Sequence, residues 1–95
     1  MAAYVIADVD VKDPGAYEEY KKGVPTSIAA YGGKFLVRGG PHEVLEGKWK
    51  PIRLVVLEFP SVDHVRRWYA SEEYRTLKAI RVKNAVSDLV LVEGL

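Results

Sequence analysis

Cysteine is absent from the 95 residues, which excludes a disulfide framework, a thiolate nucleophile, a zinc knuckle and a Cys-ligated iron–sulfur cluster. The simplest setting for such a chain is the cytoplasm. Charge of one sign is not in excess either: 14 Lys and Arg stand against 13 Asp and Glu, for a formal charge of +1. No global basic field exists to gather nucleic acid or an anionic membrane, so neither is expected as a partner. Long apolar runs are missing as well. Leu54-Val55-Val56-Leu57 and Leu89-Val90-Leu91-Val92 fall far short of the roughly 20 residues that cross a bilayer as a helix. Met1-Ala2-Ala3-Tyr4-Val5 lacks the basic-then-apolar order of an export signal, and none is expected. There is no internal repeat, low-complexity tract or linker-like stretch.

What the chain does have is buriable surface: 48% of residues are apolar and 11% aromatic, with two Trp and six Tyr. That is too much for a disordered chain and suits one modest core, so a single domain over residues 1–95 is expected.

Ala3 to Val11, rich in Val, Ile and Tyr, reads as a strand ending at Lys12-Asp13-Pro14, where Asp13 can cap a helix and Pro14 suits its first turn. Tyr17, Tyr20, Val24, Ile28 and Tyr31 then recur at helical spacing on one face. Pro25 removes one donor from that helix and predicts a kink or restart near Gly23 to Pro25; Gly32-Gly33 ends it. Lys34 to Arg38, continued near Glu43 to Glu46, reads as a second strand broken by a bulge at Gly39-Gly40-Pro41, with a hairpin loop at Gly47 to Pro51. Ile52 to Phe59 returns antiparallel. Ser61 caps a short helix carrying Val65, Trp68 and Tyr69, and Ser71 caps a second piece carrying Tyr74, Leu77, Ile80 and Arg81 that fades by Asn84. Ser87 to Glu93 is the last strand. The order β-α-β-β-α-β is the ferredoxin-like α+β arrangement, in which helices cover one face of a four-stranded antiparallel sheet.

A half-solvated antiparallel strand alternates apolar with polar residues. Tyr4-Val5-Ile6-Ala7, Leu54 to Leu57 and Leu89 to Val92 are apolar on both parities, so both sheet faces read as buried. Two helical segments cover one face, and nothing else in the chain remains to cover the other. A second copy is the simplest cover, giving a homodimer with sheets face to face.

The run Tyr31-Gly32-Gly33-Lys34-Phe35-Leu36-Val37-Arg38-Gly39-Gly40, followed by Glu43-Val44-Leu45-Glu46-Gly47, Glu58-Phe59-Pro60-Ser61, Trp68-Tyr69, Ser71, Tyr74, Arg81 and Val92-Glu93-Gly94, closely resembles the bacterial domain of unknown function family 1330. The resemblance spans essentially the whole chain. It implies a ferredoxin-like fold of the dimeric α/β-barrel superfamily and no established activity. That superfamily includes cofactor-free oxygenases, muconolactone isomerase-like enzymes, haem enzymes and effector modules, so it does not choose a chemistry.

Arg38 stands in an otherwise apolar strand, where a guanidinium must be paired or face a polar cavity. It reads as an anchor for a ligand carboxylate or phosphate, or as one half of an ion pair with Glu58. Pairing Glu46 with Ile52 across the hairpin would set Arg38 and Glu58 on one face, one diagonal step apart; a bulge at Gly39-Gly40 would reverse this. In relatives of the fold the cavity between helices and sheet commonly holds the substrate or cofactor. The resemblance therefore nominates Tyr31, Arg38, Trp68, Tyr74 and Arg81 as lining residues. Gly32-Gly33 and Gly39-Gly40 lack phosphate-loop spacing. His42 and His64 have no ligand-spaced companions, and no metal or cofactor is expected. Asp8 and Asp10 read as solvated strand acids, Ser71 as a cap, and Lys21-Lys22 and Arg66-Arg67 as solvated helix faces.

The leading expectation is a cytoplasmic homodimer whose protomers each hold a small anionic or aromatic metabolite near Arg38 and Arg81. The alternatives are a cofactor-independent oxygenase or isomerase using the same cavity, and a structural or protein-interaction domain.

Overall fold

Strand alternation sets the layout. In β1 (Ala3–Val11), Ala3, Val5, Ala7 and Val9 are buried, while Tyr4, Ile6, Asp8 and Asp10 between them are only partly so, the period-two signature of a strand packed on one side. The computed structural model describes residues 1–95. After β1 come α1 (Pro14–Ala29), β2 (Lys34–Arg38), β3 (Leu54–Phe59), α2 (Val62–Tyr69), α3 (Glu72–Asn84) and β4 (Ala85–Glu93). The sheet runs β2-β3-β1-β4 with every neighbouring pair antiparallel. This is the expected ferredoxin-like order, its second helical segment in two pieces.

Each helix starts where a capping side chain was expected. The Asp13 carboxylate accepts from Ala16 N at 3.1 Å, Ser61 Oγ from His64 N at 3.2 Å, and Ser71 Oγ from Tyr74 N at 3.1 Å. These bonds satisfy donors that the first helical turn leaves free. At the end of α1, Gly33 N donates to the Ile28 carbonyl at 2.8 Å while Gly32 takes φ +78°, a backbone state that suits glycine.

Three expectations are corrected. The helix α1 does not restart but continues as one element through Pro25; Pro25 has no N–H for the Lys21 carbonyl, which accepts from the Arg38 side chain instead. The second strand does not resume at Glu43 to Glu46: β2 stops at Arg38, and residues 39–53 form an irregular connection before β3 begins at Leu54. Gly39 turns the chain with φ +72° and Pro41 has no donor for a ladder. The irregularity in the β2–β3 ladder lies between Phe35 and Val37, not at Gly39-Gly40.

α2 and α3 join α1 on the face carrying Val5, Ala7, Val9, Leu57 and Phe59. The core there is aromatic: Trp68 and Tyr74 are fully buried with ring centroids 4.1 Å apart, and Phe59 lies 5.4 Å from Trp68. Trp68 Nε1 donates to Ser27 Oγ at 3.1 Å, which donates to the Val24 carbonyl at 2.9 Å. The burying of an indole without an orphaned N–H is thereby solved inside α1. The opposite sheet face has no such cover. Val37, Val86, Val90 and Val92 remain exposed there, with Tyr4, Ile6, Leu54 and Val56 half-buried among them.

Candidate ligand site

A cavity of about 40 Å³ lies between the helices and the covered sheet face. A water needs roughly 10–15 Å³ by this measure, so the space takes a few waters or one small acidic group. Its sheet side is hydrocarbon, from Val5, Ala7, Val55, Leu57 and Leu89. Set against that floor are the cations Lys21, Arg38, Arg53 and Arg81, and no Asp or Glu lines the cavity.

Arg81 reaches the cavity from α3 and is only 6% exposed. Its one hydrogen bond runs from Nε to the Tyr74 hydroxyl at 3.3 Å, and it has no carboxylate within ion-pair distance. Burial is the largest influence and works against its charge, but Tyr74, Tyr20 and Tyr69 together outweigh it, and the guanidinium titrates above the ordinary arginine range. Tyr74 in turn shares a 2.7 Å hydrogen bond with the Tyr20 hydroxyl. Burial, reinforced by Tyr74, pushes the Tyr20 hydroxyl far above the usual phenol range and keeps it neutral. Tyr17, 3% exposed on α1, also lines the cavity, and its hydroxyl has no protein hydrogen-bond partner. Burial raises its pKa, while the charges of Arg53, Arg81 and Arg38, which line the same cavity, pull the other way without reversing the shift.

The other two arginines sit at the mouth. Arg38 Nη2 donates to the Lys21 carbonyl at 2.7 Å, the acceptor that Pro25 cannot use, and its guanidinium lies 4.3 Å from the Phe35 ring centroid. Arg38 is therefore held to α1 through backbone and stacking, with its charge uncompensated. Arg53 lies across the adjacent Gly39, where a Cβ would come within 2.7 Å of its Nε. Its main chain is fixed from both sides: the Asp8 carboxylate accepts from Ile52 N at 2.9 Å, Trp49 Nε1 at 3.1 Å and Arg53 N at 3.3 Å, while Val9 N donates to the Arg53 carbonyl at 2.9 Å. These bonds, that from Ile52 foremost, lower the Asp8 pKa below the usual carboxylate value.

Of the residues singled out from sequence, Arg38, Arg81 and Trp68 meet at this cavity. Tyr74 stands behind it, bonded to Arg81. Tyr31 and Glu58 are elsewhere: the Tyr31 hydroxyl donates to Glu73 at 2.9 Å outside the cavity, and Glu58 lies 3.4 Å from Lys34. The expected Arg38–Glu58 pair is thus absent. The β2–β3 register places Lys34 opposite Glu58, and the slip between Phe35 and Val37 puts Arg38 opposite Val55, on the helix side, while Glu58 faces the open side. Arg53, Tyr17 and Lys21 were not nominated. The signal for Arg53 was parity, since 53, 55, 57 and 59 share one face of a strand entering an apolar run.

The family model DUF1330, a domain of unknown function, matches residues 2–95. A protein of unknown function from Rhodopseudomonas palustris has a solved structure similar to this one, with TM-score 0.77 and 21% identity over 99% of this chain and 82% of that chain. A dimeric ferredoxin-like protein of unknown function from Thermobifida fusca gives TM-score 0.66 at 17% identity, covering 99% and 92%. SnoaB, a cofactor-independent oxygenase from Streptomyces nogalater, gives 0.63 at 16% identity, covering 99% and 92%. These likenesses establish the fold. No curated protein matches the chain.

Proposed function

The chain belongs to the DUF1330 family, whose description carries no activity, and we propose from its own site that it is a cytoplasmic homodimer, one domain per protomer, that binds a small anionic metabolite between helices and sheet. The observation that carries this reading is Arg81: a residue 6% exposed, without a carboxylate partner, facing a cavity that no acid lines. A charge left this way in an interior is costly unless a bound anion completes it. Arg38, Arg81 and Trp68 contact the ligand, with Tyr17 and Arg53 joining them. The dimer forms through the valine-rich open face, and dimeric neighbours of the same fold support it.

A second reading is turnover of the bound molecule as a cofactor-independent oxygenase or isomerase. It is favoured by the neutral Tyr17 hydroxyl beside three arginines, an arrangement able to hold the oxygen of an enolised substrate as it gains charge.

Thermal unfolding against a panel of small carboxylates and phosphates tests the binding. A ligand at a hundredfold its Kd stabilises by about 2.7 kcal/mol, which for a domain of this size raises Tm by roughly 10 °C or more. Arg38→Met should shrink that rise and Arg81→Met abolish it. No shift of the native protein with any anion would overturn the proposal. Oxygen consumption with a stabilising acid separates turnover from holding.

A further inference from the structure

We infer that the ligand is a short dicarboxylate with an apolar middle, one acidic end held by Arg81 and the other by Arg38 and Arg53. The inference rests on the anion-binding reading and refines it.

The cationic groups are not equivalent. Arg81 is deep, 6% exposed, and leaves both terminal nitrogens without protein partners. The Tyr17 hydroxyl, without a protein partner, lines the cavity and also the outer pocket shared with Lys21 and Arg53. The two free terminal nitrogens of Arg81 form a fork to which one carboxylate can bind bidentately, the geometry class in which charge-assisted hydrogen bonds are strongest. Arg38 and Arg53 belong to a different end, at the mouth formed by β2 and the start of β3. Arg38 is exposed, committed through one nitrogen to the Lys21 carbonyl, and Arg53 is half-buried against Gly39, one residue further along the chain. Neither has an acidic partner within ion-pair distance; Glu18, at the outer side of the mouth, is engaged with Lys21 at 3.5 Å. One carboxylate at the inner end would leave the two mouth arginines unanswered.

Between the two ends the surface is hydrocarbon: Ala7, Val55, Leu57 and Leu89 offer no hydrogen bond to a polar spacer. A methylene chain suits that stretch, and hydroxyls placed there would lose their water without replacement. The free volume of about 40 Å³ keeps the molecule short.

Isothermal titration with two series of matched length tests this: acetate, propionate and butyrate against malonate, succinate and glutarate. At least one diacid should bind tenfold or more tightly than the monoacid of similar length. Arg53→Met should remove that preference, weakening the diacid about tenfold and the monoacid less than twofold, whereas Arg81→Met weakens both series. Arg53→Lys, which keeps the charge, should retain most of the preference and covers the case in which the Met variant fails to fold. Monoacids binding within twofold of diacids, or Arg53→Met leaving the diacid preference intact while it still binds both series, would overturn the dicarboxylate while leaving an anion site. No binding in either series would overturn the anion site itself.

Discussion

The two faces of the one sheet differ in where they put charge. Around the cavity the covered face carries no carboxylate, since Glu93, the acid at its parity, lies opposite Ala3 at the end of β4, and guanidinium groups arrive from α3, from the end of β2 and from the residue just before β3. On the open face Asp8, Glu58 and Asp88 lie among Ile6, Val56, Val90 and Val92, at the same strand parity. Near the cavity, acid is thus kept from arginine by the period-two geometry of the strands. The lesson is that each face is incomplete in its own way: the covered face lacks negative charge around its cavity, and the open face lacks hydrocarbon contact.

The largest effect is expected from spoiling the open face. Val90 is 59% exposed there, and Val82, on the outer side of α3, is 62% exposed. If a second copy covers the sheet, light scattering on the native protein gives twice the 10.6 kDa chain mass, and Val90→Lys reduces it to that of one chain, because a buried unpaired ammonium opposes association. Val82→Lys should leave the mass unchanged. Equal behaviour of the two variants would erase the distinction between faces. The covered face is probed by Arg81→Met without ligand. Near neutral pH the guanidinium faces tyrosine hydroxyls and no carboxylate, so a hydrocarbon side chain of similar length should stabilise the ligand-free protein by about 1 kcal/mol in urea unfolding. A loss of stability would mean that Arg81 is a structural residue.

The architecture was legible because its signals are local. Asp13, Ser61 and Ser71 stand at helix starts, and the spacing of Tyr17, Val24 and Ile28 marks a buried helical face. The site was legible only in part. Arg38 was recognisable as a charge in an apolar strand, whereas Arg81 and Trp68 were nominated through the family resemblance. Which face Arg38 takes depends on one slipped residue between Phe35 and Val37, and a slip of one reverses every side chain beyond it. No propensity announces that slip. The apparent strand at Glu43 to Glu46 misled for a related reason: its Val44-Leu45 pair looks like strand but joins no ladder, and the chain that follows is tied instead to the distant Asp8, 44 residues before Ile52 in sequence. Tyr31 sits at helical spacing with Tyr17 yet lies beyond the last residue of α1 at Ala29, where the helical face no longer extends.

Asp8 connects the two faces, and it carries the prediction of smallest effect. Its carboxylate belongs to the open side, but by accepting from Trp49, Ile52 and Arg53 it fixes the chain that delivers the Arg53 side chain to the covered side. Those hydrogen bonds favour the ionised form, so the pKa in the folded protein lies below the value of about 3.9 that an unfolded chain presents. The sign follows from linkage: the unfolded state binds the proton more readily, so the stabilisation is complete above the unfolded value and fades as pH falls through the folded one. Asp8→Asn keeps one acceptor oxygen and loses the charge. Its Tm should therefore lie a few degrees below that of the native protein at pH 6, and the gap should close as the pH is taken below about 3.9. If the gap stayed constant with pH, the carboxylate would be serving as a neutral hydrogen-bond acceptor only. If Asp8→Asn instead matched the native protein at pH 6 and still bound anions with full affinity, the link from the open face to the mouth of the cavity would be broken, and the two faces would have to be regarded as independent.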